Sequence, residues 1–374
     1  MLSQKSSHYF VVFLNDNFDP IKSPKWPSAR NINFSNELTK TIKYFENEVW
    51  GIESFAINKE TNLIYGSSKD GFILEIRLDN NFKPEIIGSY TYEIRLDNNF
   101  KPEIIGRYIY GKEKFLKRRP LGVRFSPKNI NELYFVDAYQ GIFIFDTINK
   151  IFTEIYTNDS MPYFNDFDFL KNGGLVLSQP SIKYNDEYFH RIVLENKPNG
   201  RILYFDIKQK EFSILIDELY TPNGIQVSND GNTVFFAEMM AYQIKKFDAS
   251  KKPIKMKTII DRLPGMPDNI RFDIDGQTLI IPLAEERMEF GILNYPFIKH
   301  YMLSIYETFL WQQNPNFGIF ASVLFLNSSN GEITKAWNDP TGVSVGGITQ
   351  VLPFNDKVFI FGTDMAPALF LLKL

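Results

Sequence analysis

Hydrophobic and polar residues alternate in short stretches along most of the chain. Stretches of this kind, rich in β-branched and aromatic residues and bounded by Gly, Asn, Asp and Pro, are typical of β-strands. The longest of them predict pairs of strands around a turn, at residues 133–146, 232–248 and 357–374. Helical spacing of apolar residues is scarce, and residues 296–312 are its best instance. The pattern therefore predicts an all-β protein with one short helical insertion.

A looser repeat organises these strands. A turn containing Pro, Gly, Asn or Asp leads into a short alternating strand, then a polar turn and a second strand. This unit occurs at residues 51–66, 119–137, 164–178, 221–238, 266–282 and 346–362. Six units predict a six-bladed β-propeller, with one four-stranded sheet per blade around a central channel; an unclosed array of sheets is the alternative. We predict that residues 46–374 form the propeller and that residues 1–45 form an N-terminal extension or closing segment.

A duplicated segment interrupts this repeat. Residues 75–88 recur letter for letter as residues 93–106. Structural repeats drift because their surface positions are free to change, whereas here surface residues such as Asp79 and Lys83 are copied as well. A blade needs about four strands, and the inserted segment can supply two at most. We interpret the second copy as a tandem duplication or a gene-model error that adds a strand or a peripheral hairpin to blade one.

The amino-acid composition mainly excludes several classes of binding site and partner. The chain of 374 residues has 44% hydrophobic and 23% charged residues, an ordinary balance for a globular protein. Its net charge of −3 argues against a nucleic-acid partner, and we interpret the basic run at residues 111–120 as a solvated loop. Cysteine is absent, which excludes disulfides, zinc–thiolate sites and thiol nucleophiles.

The apolar runs of the chain are short. None approaches the ~18 residues that span a bilayer. Residues 9–14 are too few even for the hydrophobic region of a signal peptide. The sequence therefore predicts no membrane span and no signal peptide in this chain, and it leaves the compartment undetermined.

Polar residues occupy the turns that precede the inner strands. In a propeller these turns meet at one mouth of the channel, which would bring together Glu53, Asn165, Asp166, Asn223, Asp268 and Asn269. Such carboxylate and amide groups offer oxygen ligands, which select Ca²⁺, or less readily Mg²⁺ or Mn²⁺, rather than Zn²⁺. Turn preference explains each Asn or Asp taken alone. Their recurrence at equivalent positions of four blades, and the presence of Glu53 in a turn, favour a divalent-cation site.

Several stretches resemble the strictosidine synthase-like family, from about residue 50 to the C-terminus. They include GIESFAIN (51–58), RRPLGVRF (118–125), FNDFDF (164–169), LYTPNGIQVS (219–228) and LPGMPDNIR (263–271). The order LYTPNG then LPGMPDNIR is the most specific of these signals, whereas FNDFDF alone is weak.

This resemblance implies a six-bladed propeller related to paraoxonases and to gluconolactonase-type hydrolases. In those enzymes one Glu, several Asn side chains and an Asp hold a catalytic Ca²⁺ at the mouth of the propeller. Carried over motif by motif, the implied ligands in this chain are Glu53, Asn165, Asn223, Asp268 and Asn269.

A Ca²⁺ ion with an open coordination position could polarise an ester or lactone carbonyl and stabilise the oxyanion that forms when water attacks. We therefore predict a calcium-dependent hydrolase that acts on a small ester or lactone. The alternative is a non-catalytic propeller that Ca²⁺ stabilises and that serves as a binding or surface module. The candidate catalytic carboxylates are Asp268, which ligation should make a weak base, and Asp166 and Glu238, which lie near the same mouth by motif position.

The chain also departs from its relatives. The plant enzymes of the family condense an amine with an aldehyde through a Glu in the last blade, where GGITQV (346–351) places Thr349, so this reaction is not expected. Relatives are often membrane-anchored, resident in the endoplasmic reticulum or secreted, and they often carry a Cys pair and an N-terminal anchor. This chain has neither, so it is a variant without an anchor or its N-terminus is incomplete. The histidine pair of paraoxonases finds no counterpart among His8, His190 and His300.

Overall fold

The computed structural model describes residues 18–91, 93–96, 102–105, 118–157, 163–288, 295–305, 307, 320–364 and 366–374. In this part of the chain six antiparallel sheets follow one another as blades. Each blade begins with one of the six predicted turn-and-strand units. The predicted six-bladed β-propeller is therefore confirmed.

The first half of the chain forms a short strand, β1 (Ile42–Tyr44), and three blades. Blade one contains β2 (Ile52–Ile57), β3 (Ile64–Ser68), β4 (Ile73–Leu78) and β5 (Pro84–Tyr90). A separate hairpin follows, with β6 (Glu93–Leu96) and β7 (Pro102–Ile105). Blade two contains β8 (Pro120–Phe125), β9 (Glu132–Asp137), β10 (Gly141–Asp146) and β11 (Ile151–Thr157). Blade three contains β12 (Phe167–Phe169), β13 (Leu175–Gln179), β14 (Gly200–Asp206) and β15 (Glu211–Leu219).

The second half of the chain completes the ring. Blade four contains β16 (Pro222–Val227), β17 (Thr233–Glu238), β18 (Gln243–Asp248) and β19 (Lys257–Ile260). Blade five contains β20 (Gly265–Pro267), β21 (Arg271–Phe272), β22 (Thr278–Glu286), β23 (Ala321–Asn327) and β24 (Ile333–Asp339), with β20 and β21 both paired to β22. Blade six contains β25 (Ile348–Asn355), β26 (Val358–Thr363) and β27 (Leu369–Lys373).

Blade six draws its strands from both ends of the described chain. Strand β1 pairs antiparallel with β27, with Ile42 opposite Leu371 and Tyr44 opposite Leu369. The N-terminal strand is thus the outermost strand of the last blade. This pairing closes the propeller, because backbone hydrogen bonds join strands from the two ends of the described chain within one blade.

The hydrophobic core lies between the blades. Each of the six clusters of buried apolar side chains in the described residues joins two neighbouring blades. Between blades one and two, Phe143 and Phe145 project from the same face of β10 because alternate residues of a strand share a face. Phe143 stacks on Phe135 with ring centroids 5.3 Å apart, and Phe145 lies 4.7 Å from Phe152. The aromatic residues that mark the strands in the sequence therefore fill the space between the sheets.

Two short α-helices lie among the described residues, α1 (Phe189–Glu195) and α2 (Pro296–Ile305). Helix α2 confirms the predicted helical insertion over its first ten residues, whereas residues 306 and 308–312 lie outside the described part. Three 3-10 turns, Glu37–Lys40, Asp186–Tyr188 and Met239–Ala241, also lie in the described part of the chain. No helix in these residues is long and apolar enough to cross a membrane.

The two copies of the duplicated segment have different places in the fold. The first copy forms β4 and β5, the outer strands of blade one. The second forms the hairpin of β6 and β7, in which Ile94 lies opposite Ile104 as Ile76 lies opposite Ile86. The register differs at the first residue of the copy, because Glu93 lies opposite Ile105 whereas a bulge places Glu75 opposite Gly88. The expected hairpin is therefore present, but it is a two-stranded sheet of its own rather than an addition to blade one.

Deleting residues 89–106 is expected to leave the free energy of unfolding within about 1 kcal/mol of the intact chain. The first copy supplies β4 and β5, and the deletion moves Tyr108 to the position of Tyr90, whose hydroxyl donates to Glu75 Oε2 at 2.7 Å. Urea unfolding measures the difference. The control deletes residues 84–106, which also removes β5 and should be clearly destabilising. A large loss in the shorter deletion would show that the second hairpin supports the core.

Candidate functional site

The five predicted metal ligands all lie where the inner strands begin. Glu53 is in β2 and Asn223 in β16, Asn165 precedes β12, and Asp268 and Asn269 lie between β20 and β21. Every one of them is at least nine-tenths buried, with exposed fractions between 1% and 4%. The inner strands approach closely here because glycine follows Asn223: a Cβ on Gly224 would lie 2.4 Å from the carbonyl oxygen of Asp268.

Hydrogen bonds connect predicted ligands of blades five and one with each other and with Thr349 of blade six. Asn269 Nδ2 donates to Glu53 Oε1 at 3.1 Å, which joins blade five to blade one. The Asn269 N–H donates to the Thr349 carbonyl at 2.9 Å, and the Thr349 hydroxyl donates to the Glu53 carbonyl at 2.8 Å. The structure therefore brings Glu53 and Asn269 into direct contact. The Thr349 hydroxyl thereby holds the Glu53 backbone in place.

Four side-chain oxygens of this cluster lack hydrogen-bond partners in the described part of the chain. They are the Oδ1 atoms of Asn165, Asn223, Asp268 and Asn269, all of them buried. In native proteins nearly every buried oxygen acceptor has a hydrogen-bond donor or another partner. Four buried oxygens without one in the same cluster therefore indicate that a ligand binds there. A hard divalent cation is a partner that accepts several oxygen ligands at once.

The electrostatics of the cluster agree with a cation. Burial, reinforced by the charge of Asp364, raises the pKa of Glu53 to about 8. Burial and the charges of Glu53 and Asp364 likewise raise the pKa of Asp268 well above its usual range. A divalent cation among these groups would offset the repulsion and favour the ionised carboxylates. The described residues hold no metal-binding group of three or more His, Cys, Asp or Glu, so the donor set that fits here mixes carboxylates with amides.

Asp166, a candidate catalytic carboxylate, is engaged by cationic and backbone donors. Arg271 donates to both of its oxygens, from Nη1 at 2.7 Å to Oδ2 and from Nη2 at 3.0 Å to Oδ1. The Ile225 N–H donates to Oδ2 at 2.8 Å, and the Asp166 side chain is completely buried. These partners favour a structural role for Asp166, and its catalytic role stays a prediction.

Glu238 is the other candidate base that is not a predicted ligand, and both of its carboxylate oxygens also have partners. Its Oε1 accepts the Tyr220 N–H at 2.9 Å, and its Oε2 accepts from Gln243 Nε2 at 2.9 Å and lies 2.8 Å from Lys245 Nζ. These contacts tie β17 to β18 and to the residues before β16. The catalytic role of Glu238 likewise stays a prediction, and its partners favour a structural one.

Sequence reasoning missed an arginine beside the ligands. Arg119 ends the basic run that we interpreted as a solvated loop, yet its side chain is only 4% exposed, so that interpretation is wrong for this residue. Its Nη2 forms an ion pair with Asp364 and lies 3.6 Å from Glu53 Oε2, and its Nε lies 3.5 Å from Asp186 Oδ2. Its position immediately before β8 was the available signal, because four other blades carry the predicted ligands near the start of an inner strand.

A further carboxyl group near this cluster was also missed. Burial and the charge of Asp364 raise the pKa of Glu285 to about 7. Glu285 lies in β22, opposite Met266 of β20, and therefore close in the fold to the turn that carries Asp268. The two histidines in the described residues lie elsewhere: His190 is 2.9 Å from Glu307, and the ring of His300 packs against Phe18, whereas His8 falls outside the described residues.

The fold and the site together define the class of this protein. It is a six-bladed β-propeller that carries a cluster of buried carboxylate and amide oxygens at the mouth of its channel. The strictosidine synthase family model matches residues 165–253. Strictosidine synthase-like protein 3 of Arabidopsis thaliana is 24% identical over 347 residues, which cover 91% of this chain and 86% of that protein. The adipocyte plasma membrane-associated protein of Danio rerio is 25% identical over 67% of this chain and 62% of its own length. The resemblance to the strictosidine synthase-like family is thus confirmed.

Solved structures support the same fold. A gluconolactonase from Xanthomonas campestris aligns with a TM-score of 0.56 and 12% identity, covering 95% of this chain and 97% of its own. A calcium-binding protein, regucalcin, from Agrobacterium tumefaciens aligns with a TM-score of 0.51 and 10% identity, covering 88% of this chain and 92% of its own. At this level of identity the likeness shows a shared propeller.

Proposed function

We propose that this protein is a calcium-dependent hydrolase of esters or lactones. The observation that carries the proposal is the set of four buried, unpartnered Oδ1 atoms that lie at the inner ends of blades three, four and five. Together with the Glu53 carboxylate they form an oxygen donor set suited to Ca²⁺. The residues that would hold the ion are Glu53, Asn165, Asn223, Asp268 and Asn269.

Charge balance at the mouth gives the proposal further support. Five carboxyl groups lie near two cations there: Glu53, Asp186, Asp268, Glu285 and Asp364 against Lys69 and Arg119. The excess of negative charge suits a divalent cation, since unpaired buried charge is costly. An uncharged ester or lactone adds no further charge to this balance. The gluconolactonase and the calcium-binding regucalcin that share the fold are compatible with this choice.

In the proposed reaction the cation and the side chains of the protein would have separate roles. When bound, calcium supplies Lewis acidity to the carbonyl oxygen of the substrate. Asn269 keeps the Glu53 carboxylate oriented through its 3.1 Å hydrogen bond. Glu285, whose pKa of about 7 suits a proton acceptor at neutral pH, would take the proton of the attacking water. Asp268 is the alternative acceptor, although ligation would make it the weaker base.

The direct test measures hydrolysis of an aryl ester and of a lactone in the presence of excess EDTA and after calcium is restored. We expect loss of turnover with EDTA and its recovery with calcium. Turnover that ignores EDTA would contradict the proposal. If calcium raises the melting temperature but no ester or lactone is hydrolysed, the protein is instead a calcium-stabilised binding module.

Replacing Glu285 by Gln is expected to lower kcat/KM about 10²-fold and to remove an acid limb from its pH profile. Glu285 is protonated below its pKa of about 7 and cannot then accept a proton, so wild-type activity should fall as the pH drops through that value. The profile is measured at saturating calcium. The matched control is Glu286→Gln, the exposed neighbouring residue, which should keep the limb. An unchanged profile in Glu285→Gln would exclude Glu285 as the base.

A further inference from the structure

Arg119 has hydrogen-bonding capacity that its surroundings leave unused. Its side chain is 4% exposed, and its Nε and Nη1 donors have no hydrogen-bond partner in the part of the chain that the structure describes. Nε lies 3.5 Å from Asp186 Oδ2, which is an ion-pair distance but forms no hydrogen bond. Because a buried guanidinium normally satisfies its N–H groups, these two donors point to a ligand.

The backbone fixes the position of this side chain. The Arg119 N–H donates to Asp137 Oδ2 at 2.6 Å, and the Ala138 N–H donates to the Arg119 carbonyl at 2.9 Å. Beyond the backbone, Nη2 is held by Asp364 and lies 3.6 Å from Glu53 Oε2. The guanidinium is therefore a preorganised cation in contact range of a proposed metal ligand, which is the arrangement that stabilises developing negative charge.

We propose that Arg119 is a catalytic residue that donates a hydrogen bond from a free N–H to the acyl oxygen of the ester or lactone; this inference rests on the proposed function. Water adds to the carbonyl carbon, a C–O bond forms, and the π electrons move to the acyl oxygen, where Arg119 stabilises them. When the intermediate collapses, the bond to the alcohol oxygen breaks, and that oxygen receives the proton that the base took from water. An ester gives a carboxylic acid and an alcohol, a lactone gives one hydroxy acid, and nothing is oxidised or reduced.

The experiment compares Arg119→Met and Arg119→Lys with the calcium-saturated wild type. We expect Arg119→Met to lower kcat/KM about 10²- to 10³-fold, as loss of one oxyanion donor does. Calcium affinity, measured by titration calorimetry, should be unchanged or tighter, because a positive charge near Glu53 has been removed. Arg119→Lys keeps the charge and guards against misfolding, and it should recover part of the activity because lysine lacks the planar set of donors.

The matched control is Arg118→Gln, whose side chain donates to the hydroxyl of Thr91, the residue that follows β5. It should retain wild-type turnover. In Arg119→Ala, added guanidinium ion should restore part of the rate, which a purely structural role would not allow. Full activity in folded Arg119→Met, or a loss of activity that follows a loss of calcium affinity, would overturn this inference alone. A calcium-loaded wild type without ester or lactone hydrolysis would overturn it together with the proposed function.

Discussion

Replacing Glu53 by Gln is expected to abolish measurable calcium binding and to lower ester or lactone hydrolysis about 10³-fold. Glutamine has the same shape and can still accept the hydrogen bond from Asn269 Nδ2 at Oε1. What the substitution removes is the charge of a carboxylate that is 4% exposed and that would be a ligand of the cation. The loss should therefore appear in calcium affinity and in turnover while the fold persists.

Three measurements separate the outcomes of Glu53→Gln. Calorimetry gives calcium affinity, steady-state kinetics gives kcat/KM, and thermal unfolding with and without calcium gives the stabilisation that the ion provides. Calcium should raise the melting temperature of the wild type and of Glu60→Gln, a control at an exposed position that follows the same strand, but not of Glu53→Gln. Unchanged calcium binding in Glu53→Gln would refute the proposed site.

The fold was predictable because its pattern is local and repeated. Each inner strand follows a turn of Gly, Pro, Asn or Asp, and each blade repeats the alternation of the one before it, so six weak signals reinforce one another. Helix α1 escaped prediction because it has seven residues, too few to show a helical period. The preceding turn depends on a local cap, in which Asn185 accepts the Glu187 N–H.

The candidate site was predictable only where its residues belong to the repeated unit. Glu53 and Asn269 could be placed together because both stand at the start of an inner strand. The position of Arg119 beside them could not be predicted, because its burial depends on Asp364, which is 245 positions away in the sequence. The sequence offered a basic run in that place, and basic runs are solvated in most proteins.

Asp166 illustrates a second limit of the sequence. It follows the predicted ligand Asn165 directly. Because both residues belong to the same FNDFDF motif, the sequence predicts that both lie at the mouth of the channel. In extended backbone, successive side chains point to opposite sides. Asn165 therefore leaves its Oδ1 unpartnered in the cluster, whereas Asp166 makes its bonds to Arg271 and to the Ile225 N–H.

Asp166→Asn is expected to lower the free energy of unfolding by about 3–5 kcal/mol. The substitution removes the carboxylate that receives both Nη1 and Nη2 of Arg271, whose side chain is 6% exposed. Breaking one partner of such a pair leaves the other charge buried without compensation, and this costs more than the pair itself is worth. Because the pair joins blade three to blade five beside Asn165 and Asn269, the loss should appear as a lower urea midpoint.

A matched double variant, Asp166→Leu with Arg271→Met, distinguishes this structural role from a catalytic one. Replacing both charged partners by apolar side chains removes the uncompensated charge, so the double variant should recover much of the stability that Asp166→Asn loses. If Asp166 holds the ligand turns in place, hydrolysis should recover along with stability. If it accepts the proton of water, the double variant should be stable and inactive. Stability in Asp166→Asn equal to that of the wild type would contradict the structural role outright.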